Sequence, residues 1–358
     1  MAAAAPTDAI RAARPAISVG GQDRPGLADG LLSMAVAETT AGLYRCEATF
    51  ANWGLKNGQT GFLYFDAQIL DFGKPFQVTV GTAVIFSGKI TGMEGQFPDG
   101  RPPEITVLAE DSFQDMRMTR RTRTFENVSD ADVMQRIAGE YGLTPQIDVQ
   151  GPTYKVLAQT NQSDLAFLRE RARAVDAELW IDGKALHVQS HSNRNLSTVK
   201  ISQGGQLRAF SVSADLAGQC SSATCNGWDV AGKSAIQYEA TDSILSGELN
   251  GGRSGAGILK SAFGERKQAL AHTVPLNSAE AQSVAEAFFK RTARRFVVGH
   301  GIAQTDDPLR VGMYLDLDGL GPLFNGKYYV AEARHLFDGR LGFRTEFTGE
   351  RPGLGQPS

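Results

Sequence analysis

The chain has 358 residues, of which 42% are hydrophobic and 21% charged, with 40 glycines and a formal net charge of −3. That length holds two or three domains with sizeable cores, and the near-neutral balance gives no global attraction for nucleic acid or an anionic membrane. Three cysteines (Cys46, Cys220 and Cys225) are too few for a disulfide framework, and no second Cys/His pair stands near them at metal-ligand spacing.

The opening stretch, "MAAAAPTDAIRAARPAISVGG", lacks the apolar region of a secretory signal, and no apolar run approaches a membrane span. Residues 1–30 read as a flexible N-terminal tail on a protein made and kept in the cytoplasm, unless it leaves as part of something larger. Residues 31–120 read as a first small β-barrel. Tyr44, Cys46, Ala48 and Phe50 alternate with polar neighbours, as do Phe76, Val78 and Val80, and Ile105, Val107 and Ala109. Turn signals at Asn57-Gly58, Asp71-Phe-Gly73 and Pro98-Asp99-Gly100 separate them.

Residues 121–200 change period. Ser129 caps a helix whose Val133, Ile137 and Tyr141 share a face, and Gly142 suits its left-handed stop. Ser163 caps a second helix with Leu165, Leu168, Ala172 and Val175 as its buried stripe, and a hairpin turns on Asp182-Gly183. Strands return over 201–350, a second β-barrel region interrupted by a helix at 278–295. Asn277 and Glu280 stand there in capping-box positions, and Ala281, Val284, Ala285 and Phe288 form the apolar side. "LNGGRSGAGILK" reads as a mobile surface loop, and residues 351–358 as a C-terminal tail. The fold class is α+β, mainly β: two small tandem β-barrels with an α/β portion.

No catalytic, cofactor or metal site emerges. "GGRSGAGILK" lacks the phosphate-loop spacing, because no glycine directly precedes Lys260. His187 and His191 read as a solvated pair, and His300 and His335 as isolated structural residues. Asp316 and Asp318 point the same way from a strand, without a second element to supply a nucleophile. Arg117, Arg120, Arg121 and Arg123, matched loosely by "KRTARR" at 290–295, form the strongest basic run and are candidates for contact with an acidic neighbouring subunit.

One pattern repeats near opposite ends. Phe86-Ser-Gly88-Lys89 returns as Phe324-Asn-Gly326-Lys327, each followed by a strand-like run, a Phe and an Asp-Gly turn. If the copies are equivalent, Phe86 and Phe324 are paired core anchors, and Gly88 and Gly326 share one corner. With "ITVLAEDSFQDM", "RTFENVSDADVMQRIAGEYGL", "CNGWDVAGKSAIQYEA" and "NGKYYVAEARHLFDGRLGFRTEFTGER", the series over residues 31–351 resembles the late control D family of contractile-tail baseplate hubs, found also in VgrG spikes.

The resemblance implies a non-enzymatic homotrimer whose six similar units join a hexameric inner tube to a trimeric spike, alongside other baseplate proteins. VgrG-type chains continue into an OB-fold and a needle, so here the resemblance implies that those lie on a separate chain. It implies no cofactor, nucleic acid or membrane span. A tail-tip cell-wall hydrolase and a lumenal cargo adaptor are the alternative readings.

Overall fold

A computed structural model describes residues 14–56, 58–194, 197–305 and 308–355. Asn57 of the expected Asn57-Gly58 turn, and the chain ends at 1–13 and 356–358, lie outside them. The first half runs through β1 (Ala16–Val19), β2 (Gln22–Asp23), the short helix α1 (Pro25–Asp29), β3 (Leu31–Thr39) and β4 (Arg45–Ala51). It continues with the hairpin β5 (Trp53–Lys56) and β6 (Gln59–Phe62), then β7 (Pro75–Val80), β8 (Ala83–Gln96) and β9 (Glu104–Glu110). The expected alternation holds: Cys46, Ala48 and Phe50, then Phe76, Val78 and Val80, then Ile105, Val107 and Ala109 enter one apolar core.

Residues 14–30 correct the expected tail. β1 pairs with β7 and buries Ile17 and Val19, and Leu27 of α1 joins the same core. Apolar residues spaced two apart across so short a segment give a strand only where a partner edge is waiting, which here lies some 60 residues downstream.

The middle of the chain is α2 (Phe113–Arg117), β10 (Arg120–Ser129), α3 (Asp130–Glu140), β11 (Thr144–Asp148), β12 (Thr153–Ser163), α4 (Asp164–Ala174), β13 (Ala177–Asp182) and β14 (Ala185–Ser190). Ser129 and Asp132 form a reciprocal capping box on α3, and Ser163 caps α4 through the Ala166 N–H. β11 pairs parallel to β14, so the Asp182-Gly183 hairpin becomes a three-stranded mixed sheet. These elements enclose their own core.

The second half contains β15 (Thr198–Ser202), β16 (Leu207–Ala214), β17 (Ser222–Asp229), β18 (Ser234–Thr241), β19 (Arg253–Ser254), α5 (Gly255–Phe263), β20 (Lys267–Leu270) and α6 (Ser278–Arg294). It ends with β21 (Val297–Ala303), β22 (Tyr314–Asp318), β23 (Gly326–Asp338), β24 (Gly342–Arg351) and β25 (Gly353–Leu354). The glycine-rich segment is a helix start rather than a mobile loop. Ser254 accepts from the Gly257 N–H and donates to Asp242, and Gly255 sits so close to Phe296 that a Cβ would lie 2.5 Å from its Cγ. Close packing therefore sets the glycine there. The expected tail is also partly ordered, since Gly353–Leu354 pairs with Arg253–Ser254. Helix α6, capped by Asn277, packs with α5 and the β17–β18 hairpin around a separate core that takes in Cys220 and Cys225. All three cysteines are free and buried.

The halves do not form two closed barrels. Thirteen strands make one sheet, in the order β16-β21-β24-β23-β3-β4-β9-β8-β7-β1-β2, with β22 and β15 branching from β23. Among the described residues no ladder joins the two edge strands of either half. The stretch of β23 that could turn back on β16 runs instead along β3, from Glu332↔Thr39 to Asp338↔Ser33.

Candidate assembly interface

Each half is one six-stranded unit. The first follows the order β3-β4-β9-β8-β7-β1 and the second β16-β21-β24-β23-β22-β15, so corresponding strands occupy the same place in chain order and in space. Two bulges mark the match. One falls at Leu32 between β3 and β4 and at Arg208 between β16 and β21. The other falls at Thr91 between β8 and β9 and at Ala331 between β23 and β24. Bulges re-aim a strand and do not recur by chance at equivalent places. The units differ at one edge, where β1 is antiparallel to β7 but β15 is parallel to β22.

The bulges also correct the repeated Phe-x-Gly-Lys. Phe86 lies five residues before its bulge at Thr91 and Phe324 seven before Ala331, so the sequence echo is two residues out of step with the structural repeat. Phe86 is a buried residue within β8, whereas Phe324 sits in the turn before β23 and only partly packs on the core. Gly88 avoids a clash, since a Cβ there would lie 2.2 Å from the Glu110 carbonyl oxygen. Gly326 has φ +119 and would meet only the Arg351 guanidinium, at 3.3 Å, so backbone conformation rather than crowding requires it.

Two buried polar groups fasten the halves together. Glu38 on β3 faces the Arg310 guanidinium, receives the Val311 N–H at 3.2 Å and lies 3.3 Å from His335 Nε2 on β23. Burial pushes its carboxyl up, but the Arg310 charge and the His335 hydrogen bond prevail and hold it below the usual carboxylate range. Glu178 on β13 accepts from Arg194 Nη1 at 2.9 Å and from the Tyr329 hydroxyl at 2.6 Å, with His191 Nδ1 at 2.7 Å. Burial opposes its ionisation as well, and His191 with Arg194 outweighs it. Arg194 also donates to the Tyr44 hydroxyl and the Val311 carbonyl and lies 4.1 Å above the Trp180 ring. One guanidinium thus ties the first half, the middle unit and the second half. His191 is buried in this network rather than solvated, while His187 stacks on Trp180.

The arginine run is engaged within the chain. Arg117 pairs with Glu110, and Arg121 and Arg123 reach Asp164 at 3.0 and 2.8 Å. Arg123 also holds Glu140 at 2.7 Å, and Arg120 donates to the Asn161 carbonyl. Asp164 is 0% exposed, so these cations neutralise a buried carboxylate at the start of α4. At the helix-α6 run, Arg294 clamps Asp176 and Glu248 at 2.5 and 2.7 Å and ties the elements around the α6 core to the middle of the chain. Asp318 holds the Gly319 N–H and Asn325 in a turn, and Asp316 stands opposite Lys327. Among the described residues no three His, Cys, Asp or Glu side chains gather as metal ligands would, and no helix is long and apolar enough to cross a membrane.

Bare strand edges among the described residues include those of β8 and β16, and an aromatic patch lies beside the first. Among the described residues β16 forms a ladder only with β21, apart from one isolated bridge between Leu207 and Gln203, and β8 has no ladder opposite β9 once it passes Ile90. Beside the end of β8, Trp53, Phe62, Phe65 and Phe97 pack ring on ring, with centroids 5.2 to 6.2 Å apart, and all four are exposed. Unpaired edges and exposed aromatic clusters mark association surfaces. They are not legible in a sequence, because a free edge and a paired one alternate alike.

The fold is that of tail proteins. It superposes on the 43 kDa tail protein of prophage MuSo2 from Shewanella oneidensis with a TM-score of 0.70 at 13% identity, over 95% of this chain and 99% of that one. The tail protein from Neisseria meningitidis MC58 gives 0.68 at 12% identity, over 96% and 98%. The E. coli c3393 protein, described as a component of the type VI secretion system that is structurally similar to phage T4 tail proteins gp27 and gp5, gives 0.57 at 11%, over 96% and 79%. Residues 61–338 match the family model described as the Alg8 N-terminal domain, and the chain belongs to that family. This is not the late control D family that the motifs resemble. No curated protein matches the sequence.

Proposed function

We propose that the chain is a non-enzymatic baseplate hub that joins a hexameric inner tube to a trimeric spike, in a contractile phage tail or a contractile injection system. The observation that carries this reading is the duplicated six-stranded unit, with its strand order and two bulges repeated. Three copies of a chain with two like units offer six like units, which meets a sixfold partner on one side and a threefold partner on the other. The tail-protein fold and the motif resemblance to late control D hubs support it. In this reading the needle and its OB-fold sit on a separate spike chain, and the tube and other baseplate proteins are the remaining partners. The residue blocks 31–120 and 201–350, extended back to β1 at Ala16–Val19 and to β15 at Thr198–Ser202, are the two tube-facing units, and the elements between β9 and β15 decorate them.

Light scattering after gel filtration, with the tube and spike proteins of the same particle present, is expected to give three copies of this chain. A chain that stays monomeric at micromolar concentration with those partners overturns the reading.

A further inference from the structure

Inside the chain, the second unit hands its β23 to the first unit's β3. The corresponding strands, β8 past Ile90 and β16 on the side away from β21, carry no ladder there among the described residues. We infer that β8 of one copy pairs antiparallel with β16 of the next copy, repeating the β23–β3 ladder in register. This inference rests on the homotrimer of the proposed hub and names the contact that closes it.

The bulges fix the register. Thr91 stands where Ala331 stands, and Leu32 where Arg208 stands, so the rungs from Ala333↔Glu38 to Leu336↔Ala35 have counterparts within β8 and β16, and Phe337↔Met34 has one at Phe97, the residue just after β8. Leu336↔Ala35 becomes Gln96 against Ser211, and Phe337↔Met34 becomes Phe97 against Phe210. The second pairing carries the physical argument. Phe337 and Met34 are buried at 4% and 3% in the first unit's core, although Phe337 belongs to the second unit. Phe97 is 66% exposed, and Phe210 is an edge residue only partly packed on the second unit's core beside Tyr328 and Phe347. Bringing Phe97 over Phe210 would give the second core the lid that Phe337 gives the first, and would remove a large exposed aromatic from water.

The occupant is a second copy of this chain because both bare edges belong to the same frame, and because one chain cannot join them to each other while its own β23 and β3 stand between them in the sheet. The contact is head-to-tail, so it closes a ring when the rotation per unit divides evenly and otherwise grows a filament. The inner seam also holds Glu38 and His335. Their counterparts are Ala214 and Gly95, so the outer seam has no ion lock and is the weaker of the two.

The test is a cysteine pair in the full chain. Gln96→Cys with Ser211→Cys, both exposed positions, is expected to oxidise to disulfide-linked dimers and trimers when tube and spike proteins are present. Each single variant should not, nor should Gln96→Cys with Val212→Cys, where a one-residue slip sends the side chain to the opposite face. Phe97→Glu is expected to weaken association by about tenfold or more while its melting temperature stays put. A trimer that assembles while the in-register pair stays reduced overturns the pairing and leaves the hub standing. A chain that stays monomeric under the same conditions overturns both.

Discussion

Where β23 runs along β3, His335, Leu336 and Phe337 are under cover; where β8 continues past its own bulge, the matching positions hold Gly95, Gln96 and Phe97, all exposed. Backbone frame, strand order and bulges are shared, so the difference comes from what lies alongside. The inner seam buries a phenylalanine and sets a carboxylate between an arginine and a histidine. The outer edges keep mostly small and polar residues around two aromatics, Phe97 and Phe210. A strand's place in the fold thus does not decide how much apolar surface it covers until its neighbour is counted.

Breaking the inner seam should give the largest effect. Glu38→Ala leaves the half-buried Arg310 without its carboxylate and the buried His335 Nε2 and Val311 N–H without a partner, and is expected to cost about 3–5 kcal/mol, read as a fall in the urea midpoint. An unchanged midpoint would show that the seam is held by its ladder and core alone. Phe86→Ala should cost about 3–5 kcal/mol, and Phe324→Ala clearly less, since only the first fills a core. Equal losses would restore the equivalence that the bulges deny.

Next in size is the arginine run. Arg121→Gln with Arg123→Gln leaves Asp164 without a cation and is expected to lower the melting temperature, contrary to what a free assembly patch would do. The smallest effect concerns pH. Glu38 and Glu178 are held below their ordinary value of 4.5, so both contribute stability in full above that pH and lose it as the pH falls through their folded values. The melting temperature should therefore drop on acidification below about 4.5, and Glu38→Gln should flatten that slope.

The caps at Ser129, Ser163 and Asn277 are legible in the sequence because a cap is made within three residues of chain. The core faces of β4, β7 and β9 are legible because period-two burial is local too. Ser254 also caps a helix, but glycines on both sides carry a stronger turn signal, and only Phe296 explains the one at 255. The repeat is visible in sequence only through a phrase that falls out of register, since its true marks are bulges, which depend on two strands at once. His191 looks solvated because its partners Glu178 and Tyr329 arrive from other elements. Arg121 and Arg123 look like a surface run because Asp164 comes from the next helix.

The inner seam joins residues 297 apart, Glu38 and His335. At about 5–20 residues per second of synthesis, β3 waits roughly 15 to 60 s on the ribosome before β23 exists to cover it. During that time the nascent first unit presents a bare edge of alternating apolar residues, the kind of surface on which unfinished chains stick to one another. Glu38 lies on that edge, and its charge keeps it hydrated until Arg310, Val311 and His335 have all been made. The group that locks the finished seam therefore also guards the unfinished one, and its replacement by an apolar residue should show first as lost soluble yield in the cell.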